Sequence, residues 1–472
     1  MNKKGFLLLT VIFAIVLIFI VSGVVWYFSL QKVGVDFEQV NTISAPANSA
    51  VEEKVSEESI QQKKSNSPAL VASEIQKPPP TNNKISVCGI YTDKGEYQLN
   101  SDLLSANPGC LKINGANNLI LDCQGHTIKY AATKINVSLD KKSLYTDSAT
   151  DYTTPLLDVQ NAQDSVIKNC VLETDGRIPL SITKSKNLTI KDNTINESPY
   201  FTAYVEVRSS NAISFVNNTV HVFYDQLKTV NSYIGNNVFL WNQPSKINKT
   251  FINSVLDLSE GSSNTIENNT INGSADGDYN IRIGADHGIG LTNEKNDVVS
   301  KNNISHSWFL GLETSRQIEN SLIDGNLFDT IGAAGIGSIY GTSWINNKIS
   351  NNTVENAGLL FHFTREGGLL VYEDAVYFKD NAFINNNFKS YTGKYGSGES
   401  SSFHFQSPFW LQTDAERQPT TSEIILTNNL FQGNNFNKDR LAPLIYPASM
   451  VKDGGGNICG DNNQHPYPLL CN

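Results

Sequence analysis

Glu206, Arg208, Asp257 and Glu313 are the side chains of this sequence best placed to do chemistry together. Each stands in a short segment of alternating apolar and polar residues: VEVR from Val205, LDLS from Leu256 and LGLE from Leu310. Alternation of period two marks a half-buried strand, in which every second side chain faces solvent. Aligning such segments gives one outward column of Asp158, Ser181, Glu206, Asp257, Gly290, Gly311 and Gly337. A second holds Gln160, Thr183, Arg208, Ser259, Thr292 and Glu313. With strands stacked about 4.8 Å apart, acidic groups two strands apart are separated by roughly 10 Å. That is close to the window of about 6.5–9.5 Å used by carboxyl pairs that hydrolyse glycosides with inversion. A solvated sheet face would carry the same scattered charges without any ligand.

Two insertions add candidates, since long loops on a rigid scaffold often carry function. Residues 272–288, NGSADGDYNIRIGADHG, crowd Asp276, Asp278, Arg282, Asp286 and His287. Asp276 and Asp278 could supply oxygen ligands to calcium, the one cofactor considered, and Arg282 could pair with a uronate carboxylate. Ordinary turn chemistry accounts for Asp-Gly-Asp equally well. Residues 357–374 bring His362, Arg365, Glu366, Glu373 and Asp374, with Phe361, Phe363 and Tyr372 as sugar-stacking aromatics. In a strand-rich fold such aromatics more often fill the core.

A repeat must position these residues. LDVQNAQDSVIKNCVL from Leu157, LSITKSKNLTIKDNTI from Leu180 and VEVRSSNAISFVNNTV from Val205 share one pattern. It returns from Leu256, Ile289 and Leu310, and more loosely from Ile336 and Leu369. Starts fall 23, 25, 51, 33, 21, 26 and 33 residues apart, which gives units of 21 to 26 residues plus insertions, with 51 standing for two. No 3.6-residue period runs through them, and Asn, Gly and Thr are poor helix formers. The units therefore read as turns of a solenoid of parallel strands. Asparagine is the compositional outlier, 55 of 472 residues. At one place per coil it can stack into an amide ladder, and it tolerates the left-handed backbone of a sharp corner.

This pattern resembles the right-handed parallel β-helix of pectate-lyase-like and carbohydrate-binding or sugar-hydrolase proteins, over about residues 85–440. The resemblance implies an all-β, single-stranded right-handed solenoid whose first-strand face is where oligosaccharides lie in the enzymes. The first unit is also similar to NosD-like periplasmic and surface β-helix proteins, to which copper delivery is attributed. It carries Cys88-Gly89, Gly109-Cys110-Leu111-Lys112-Ile113 and Leu119-Ile120-Leu121-Asp122-Cys123-Gln124-Gly125-His126. Copper finds few soft ligands here, because the His and Met are dispersed. The adjacent Asp pair and Gly-His-Gly of polygalacturonase-type hydrolases are absent, with GADHGIG only a partial echo. No complete catalytic signature is present, so no metal or catalytic set is assigned and binding is favoured over catalysis.

Six cysteines form an even set, with fifteen formal pairings. A terminal coil must cap the open core, which suggests Cys88 with Cys110. Cys123 and Cys170 fall at equivalent corners of adjacent coils, and Cys459 with Cys471 would close a small loop in a C-terminal cap, residues 441–472. Buried free thiols are the alternative. Disulfides suit an exported protein, and the N-terminus agrees. Residues 6–30 form an uncharged run of 25, preceded by Lys3 and Lys4 and followed by Asp36 and Glu38. About 20 apolar residues span a bilayer, and the positive-inside bias puts residues 1–5 in the cytoplasm and the rest outside. An uncleaved signal anchor over residues 1–30 is expected; a pilin-like leader is the runner-up, with Thr10 in place of its Glu. Residues 31–84 are rich in Ser, Glu, Lys and Pro and read as a disordered tether of roughly 40 Å.

Formal net charge is −10. No basic surplus exists to neutralise phosphates, which excludes nucleic acid as the expected partner. Two function classes remain: a membrane-anchored surface protein that binds or processes glycans, and a non-catalytic scaffold or adhesin.

Overall fold

The computed structural model describes residues 83–459, apart from 108, 132–152, 197, 199–201, 242–250, 275–283, 333, 356–358, 366–374, 389–408, 414–422, 436–443, 447–450 and 454–457. The chain divides into two compact units, Met1–Ser73 and Glu74–Asn472, and every described residue belongs to the second. The anchor expected over residues 1–30 lies outside the described residues.

The described regular elements are strands, gathered into three sheets of parallel pairs. One coil shows the winding. Leu180–Thr183 lies in a 16-stranded sheet (sheet I), Lys186–Lys191 in a 14-stranded sheet (sheet II) and Thr194–Ile195 in an 11-stranded sheet (sheet III). The chain then returns to sheet I at Tyr204–Arg208, where Leu180 pairs with Val205 and Ser181 with Glu206. Leu188 pairs with Ile213 in sheet II, and Thr194 pairs with Thr219 and Ile195 with Val220 in sheet III. Apolar residues of all three sheets point inward into one continuous core. Phe215, Phe239 and Tyr224 are fully buried there, and Phe383 stacks on Phe431 at 4.8 Å. Burying one such side chain contributes about 1.5–3 kcal/mol.

The 51-residue interval resolves into two coils. Val205 pairs with Tyr224 and Tyr224 with Leu256, separations of 19 and 32 residues.

Asparagine works at each corner through two different conformations. Asn217, Asn236, Asn268, Asn351 and Asn385 have positive φ, between 54° and 57°. Their successors Asn218, Asn237, Asn269, Asn352 and Asn386 are buried. With Asn193, Asn302, Asn326 and Asn434 they form a ladder between sheets II and III, each Nδ2 donating to the Oδ1 of the next coil at 2.9–3.0 Å. Each Nδ2 also donates to a backbone carbonyl, as Asn218 does to Ile190 at 3.0 Å. Cys170 starts the column by donating its backbone N–H to Asn193. The Cys123–Cys170 disulfide, Cα atoms 4.8 Å apart, thus takes the place of the amide pair. Cys88–Cys110 ties the first coils together, and the expected partner of Cys459, Cys471, lies outside the described residues.

The one-place-per-coil expectation is too small. A second column enters sheet II through Ser232, Asn264, Asp297, Ser321, Asn347, Asn381 and Asn429, each backbone N–H meeting the next side-chain oxygen. Asp297 belongs to a buried acid pair with Glu294. Glu294 accepts from Gly261 N at 2.6 Å and Asn264 Nδ2 at 3.2 Å. Gly261 is required there: a Cβ would lie 2.4 Å from Thr229 O and 2.9 Å from Glu294 Oε1. Burial raises both carboxyl pKa values, and the Asp297 charge raises that of Glu294 further.

Candidate functional site

Sheet I carries the chemistry. Its outward column runs Lys112, Asp158, Ser181, Glu206, Asp225, Asp257, Gly290, Glu313, Gly337. Lys112 and Asp225 join the column, and two further places differ from the sequence alignment. Glu313, not Gly311, pairs with Gly290, so Glu313 moves into the first column and Ser315 takes its place beside Thr292. Gly311 turns inward, where a Cβ would meet Phe328 at 2.4 Å and Gly335 O at 2.7 Å. The physical reason is a register offset of two residues, Ile289 pairing with Leu312 rather than Leu310, which preserves the alternation: Leu312 points into the core while Glu313 faces out of it.

Glu206, Arg208 and Asp225 form one half of the site. Arg208 Nε meets Glu206 Oε1 at 3.2 Å, and Arg208 Nη2 bonds Asp225 Oδ2 on the next coil. Glu206 Oε2 accepts from Ser181 Oγ at 3.1 Å. Two residues upstream on the same two strands, Tyr204 and Phe223 are half-buried and stacked at 5.0 Å with 25° between ring planes. The strand pattern keeps Val205 and Val207 in the core and turns Tyr204, Glu206 and Arg208 outward.

The other half is buried. His287 Nε2 meets Glu313 Oε2 at 2.7 Å, with side-chain exposures of 3% and 5%. Ser315 Oγ donates to Glu313 Oε1 at 3.2 Å. Asp286 is buried as well. The expectation that Glu313 projects freely from a strand is therefore corrected, and the Asp286–His287 pair belongs to the strand Gly284–Lys295. Burial alone would lower the His287 pKa; the Glu313 carboxylate, with Asp286 and Asp257, holds it above the usual imidazole value.

Asp257 lies between the halves and keeps part of its surface exposed. Burial, then the charges of Asp225 and Glu313, push its carboxyl up to about 7, against the opposing pull of His287 and Arg208. It can thus hold a proton near neutrality beside the Arg208-paired carboxylate of Asp225. Gly290 offers less room than alternation suggests. A Cβ there would lie 2.6 Å from Asp257 Oδ1 and 2.6 Å from Ser254 Oγ, so these side chains already fill the gap left for a sugar ring.

The structure brings together Glu206, Arg208, Asp257, Asp286, His287 and Glu313 along consecutive sheet I strands. Asp276, Asp278 and Arg282 lie outside the described residues, as do Glu366, Tyr372, Glu373 and Asp374. His362 and Arg365 fall on the strand Leu359–Arg365, where His362 pairs with Gly337. Asp225 and Ser254 were missed by the sequence alignment. The doubled 51-residue interval was the available signal for Asp225; nothing in the sequence marks Ser254. Among the described residues no group of three or more His, Cys, Asp or Glu is arranged to hold a metal ion.

Comparison with known proteins bears on the scaffold. No curated protein matches the chain. Among solved structures, the catalytic unit of an α-1,3-glucanase from Streptomyces thermodiastaticus is 15% identical with a TM-score of 0.40. The alignment covers 80% of this chain and 65% of that one, so the chain spans just under two thirds of the glucanase unit. A mannuronan C-5 epimerase A-module from Azotobacter vinelandii is 11% identical, covering 79% and 91%, with a TM-score of 0.35. An endo-xylogalacturonan hydrolase from Aspergillus tubingensis is 12% identical, covering 81% and 89%, also at 0.35. Residues 229–388 match the family described as right handed beta helix region. With three sheets of parallel strands wound in one repeating order, the chain carries a right-handed parallel β-helix.

Proposed function

We propose that this chain is an exported, membrane-anchored protein that binds a glycan along sheet I between the strands Tyr204–Arg208 and Leu310–Glu319. The observation that carries the reading is the Tyr204–Phe223 stack beside the Glu206, Arg208, Asp225 and Asp257 groups, all on the outer face of adjacent strands. An apolar ring face with fixed acceptors and donors a few ångströms away suits a sugar, which has a C–H face and a rim of hydroxyls. The two disulfides support an oxidising compartment, and the 25-residue apolar run supports an anchor with the solenoid outside the cell.

The test is retention of the full-length chain on a panel of immobilised polysaccharides, with and without calcium. Specific retention of at least one glycan, weakened by Tyr204→Ala, is expected. Binding to none would remove the reading in favour of a non-catalytic scaffold.

A further inference from the structure

Sheet I carries a second pair of aromatic rings with exposed surface. Trp308 and Phe309 lead into the strand Leu310–Glu319, are half-buried, and lie 6.0 Å apart with 40° between ring planes. Among the phenylalanines whose side chains are described, Phe223 and Phe309 alone keep exposed surface. Trp241 and Trp344 are fully buried, so Trp308 is likewise the exception among the described tryptophans. Single exposed apolar side chains need no explanation, but rings grouped on one face beside polar groups mark a binding surface.

Backbone bonds place this second pair. Trp308 N donates to Ala285 O and Phe309 N to Asp286 O, both at 2.8 Å, so the pair stands at the entry edge of the sheet, where Tyr204 and Phe223 open their own strands. The Phe309 ring meets the His287 ring edge-on at 6.0 Å. His287 Nε2 in turn bonds Glu313 of the outward column, which puts Phe309 on the outer side of the sheet. Four strand steps separate Tyr204 from Phe309: Tyr204 to Phe223, Tyr224 to Leu256, Leu256 to Ile289 and Ile289 to Leu312. At about 4.8 Å per step the span is roughly 19 Å along the solenoid axis. On the two coils between, Val255 and Gly288 hold the place of Phe223; both are buried and neither presents a ring.

Resting on the glycan-binding reading, we propose that sheet I holds a linear oligosaccharide of about five sugar units parallel to the solenoid axis. One end stacks on Tyr204 and Phe223, the other on Trp308 and Phe309. A pyranose of an extended chain is about as long as one strand spacing, so roughly one sugar falls on each coil. The end sugars lay their C–H faces on the rings, and the middle ones turn hydroxyls toward Asp225 and Asp257. A disaccharide reaches one ring pair only. A longer chain joins the two contacts, so the second forms at high effective concentration once the first is made. Length is the property this site selects.

The experiment runs the full-length chain through native gels containing laminarin, xylan, galactomannan, alginate or polygalacturonate. Di- to hexasaccharides prepared by partial hydrolysis of the polymer that retards it are then titrated. The pentasaccharide should bind at least about tenfold more tightly than the disaccharide, the scale of one added aromatic contact. Trp308→Ala combined with Phe309→Leu should remove that gain. Hydroxyl-radical footprinting of the unaltered chain reads the same contact without a variant, and saturating pentasaccharide should protect Trp308. Equal affinity at all lengths, a double variant with the gain intact, or Trp308 equally reactive with and without pentasaccharide would overturn the proposal. Each of those results, obtained with a polymer that retards the chain, leaves the glycan-binding reading in place; retardation by no polymer would overturn both.

Discussion

Asn268 and Asn269 are neighbours in sequence and identical in type, yet their replacement by alanine should have very different costs. Asn269 is buried, and its Oδ1 accepts from Asn237 N at 2.9 Å and Asn237 Nδ2 at 3.0 Å. Its Nδ2 donates to Ile234 O at 2.8 Å and Asn302 Oδ1 at 3.0 Å. Alanine removes all four bonds and strands the Asn237 N–H in the interior. At about 1 kcal/mol per bond, Asn269→Ala should destabilise by about 4 kcal/mol. Asn268 is exposed with φ of 57°, so alanine there meets only the penalty of a left-handed residue, about 1–2 kcal/mol. Asn268→Gly should therefore be close to neutral. Urea unfolding followed by circular dichroism, with m held equal, measures the difference. Equal costs at the two positions, or a loss under about 1 kcal/mol at Asn269, would refute the ladder as a principal source of stability.

Non-reducing peptide mapping should recover Cys88–Cys110 and Cys123–Cys170, and a third link from Cys459 to Cys471 is expected from the sequence. Replacing Cys123 and Cys170 by serine opens a loop of separation 47 and should cost about 4 kcal/mol in the chain-entropy model, read as a lower urea midpoint. For the Glu294–Asp297 pair, the native carboxyls titrate above their unfolded values, so the native state keeps protons that the unfolded chain releases; stability falls as pH rises above the ordinary carboxylate range. Glu294→Gln should flatten that fall in melting temperature, and an unchanged slope would contradict the assignment. Protease added to intact cells should release a fragment beginning between residues 31 and 84, whereas cleavage only after lysis would contradict the expected topology.

The winding of the chain is legible because each coil repeats its own short-range rule. Alternating Leu, Ile and Val mark the inward positions, and Asn-Asn marks a corner where one residue turns left-handed and the next stacks. Asp225 was harder to see because its coil follows the previous one after only 19 residues and opens with FYDQL, which replaces the usual aliphatic pair with Tyr224 and Gln226. Glu313 was placed two residues out of register because a slip of two residues keeps the alternation of inward and outward side chains, so LGLE and LETS fit the strand pattern equally well. Ser254, His287 and Gly290 meet through strand stacking across coils of unequal length, which no local pattern encodes. The second column of corner side chains was obscured for the opposite reason: Ser, Asn and Asp share it, so identity varies while the role is constant.

The central claim is that sheet I, at Tyr204, Phe223, Glu206 and Asp257, receives the glycan. Hydrogen exchange of the full-length chain, with and without a saturating glycan taken from the panel, tests it most directly. Slower exchange confined to the segments Tyr204–Leu227 and Leu256–Glu319, with sheet II and sheet III strands elsewhere unchanged, is the predicted result. Protection that falls on the terminal coils around Gly89–Asn114, or no change anywhere while the glycan is bound, would contradict it.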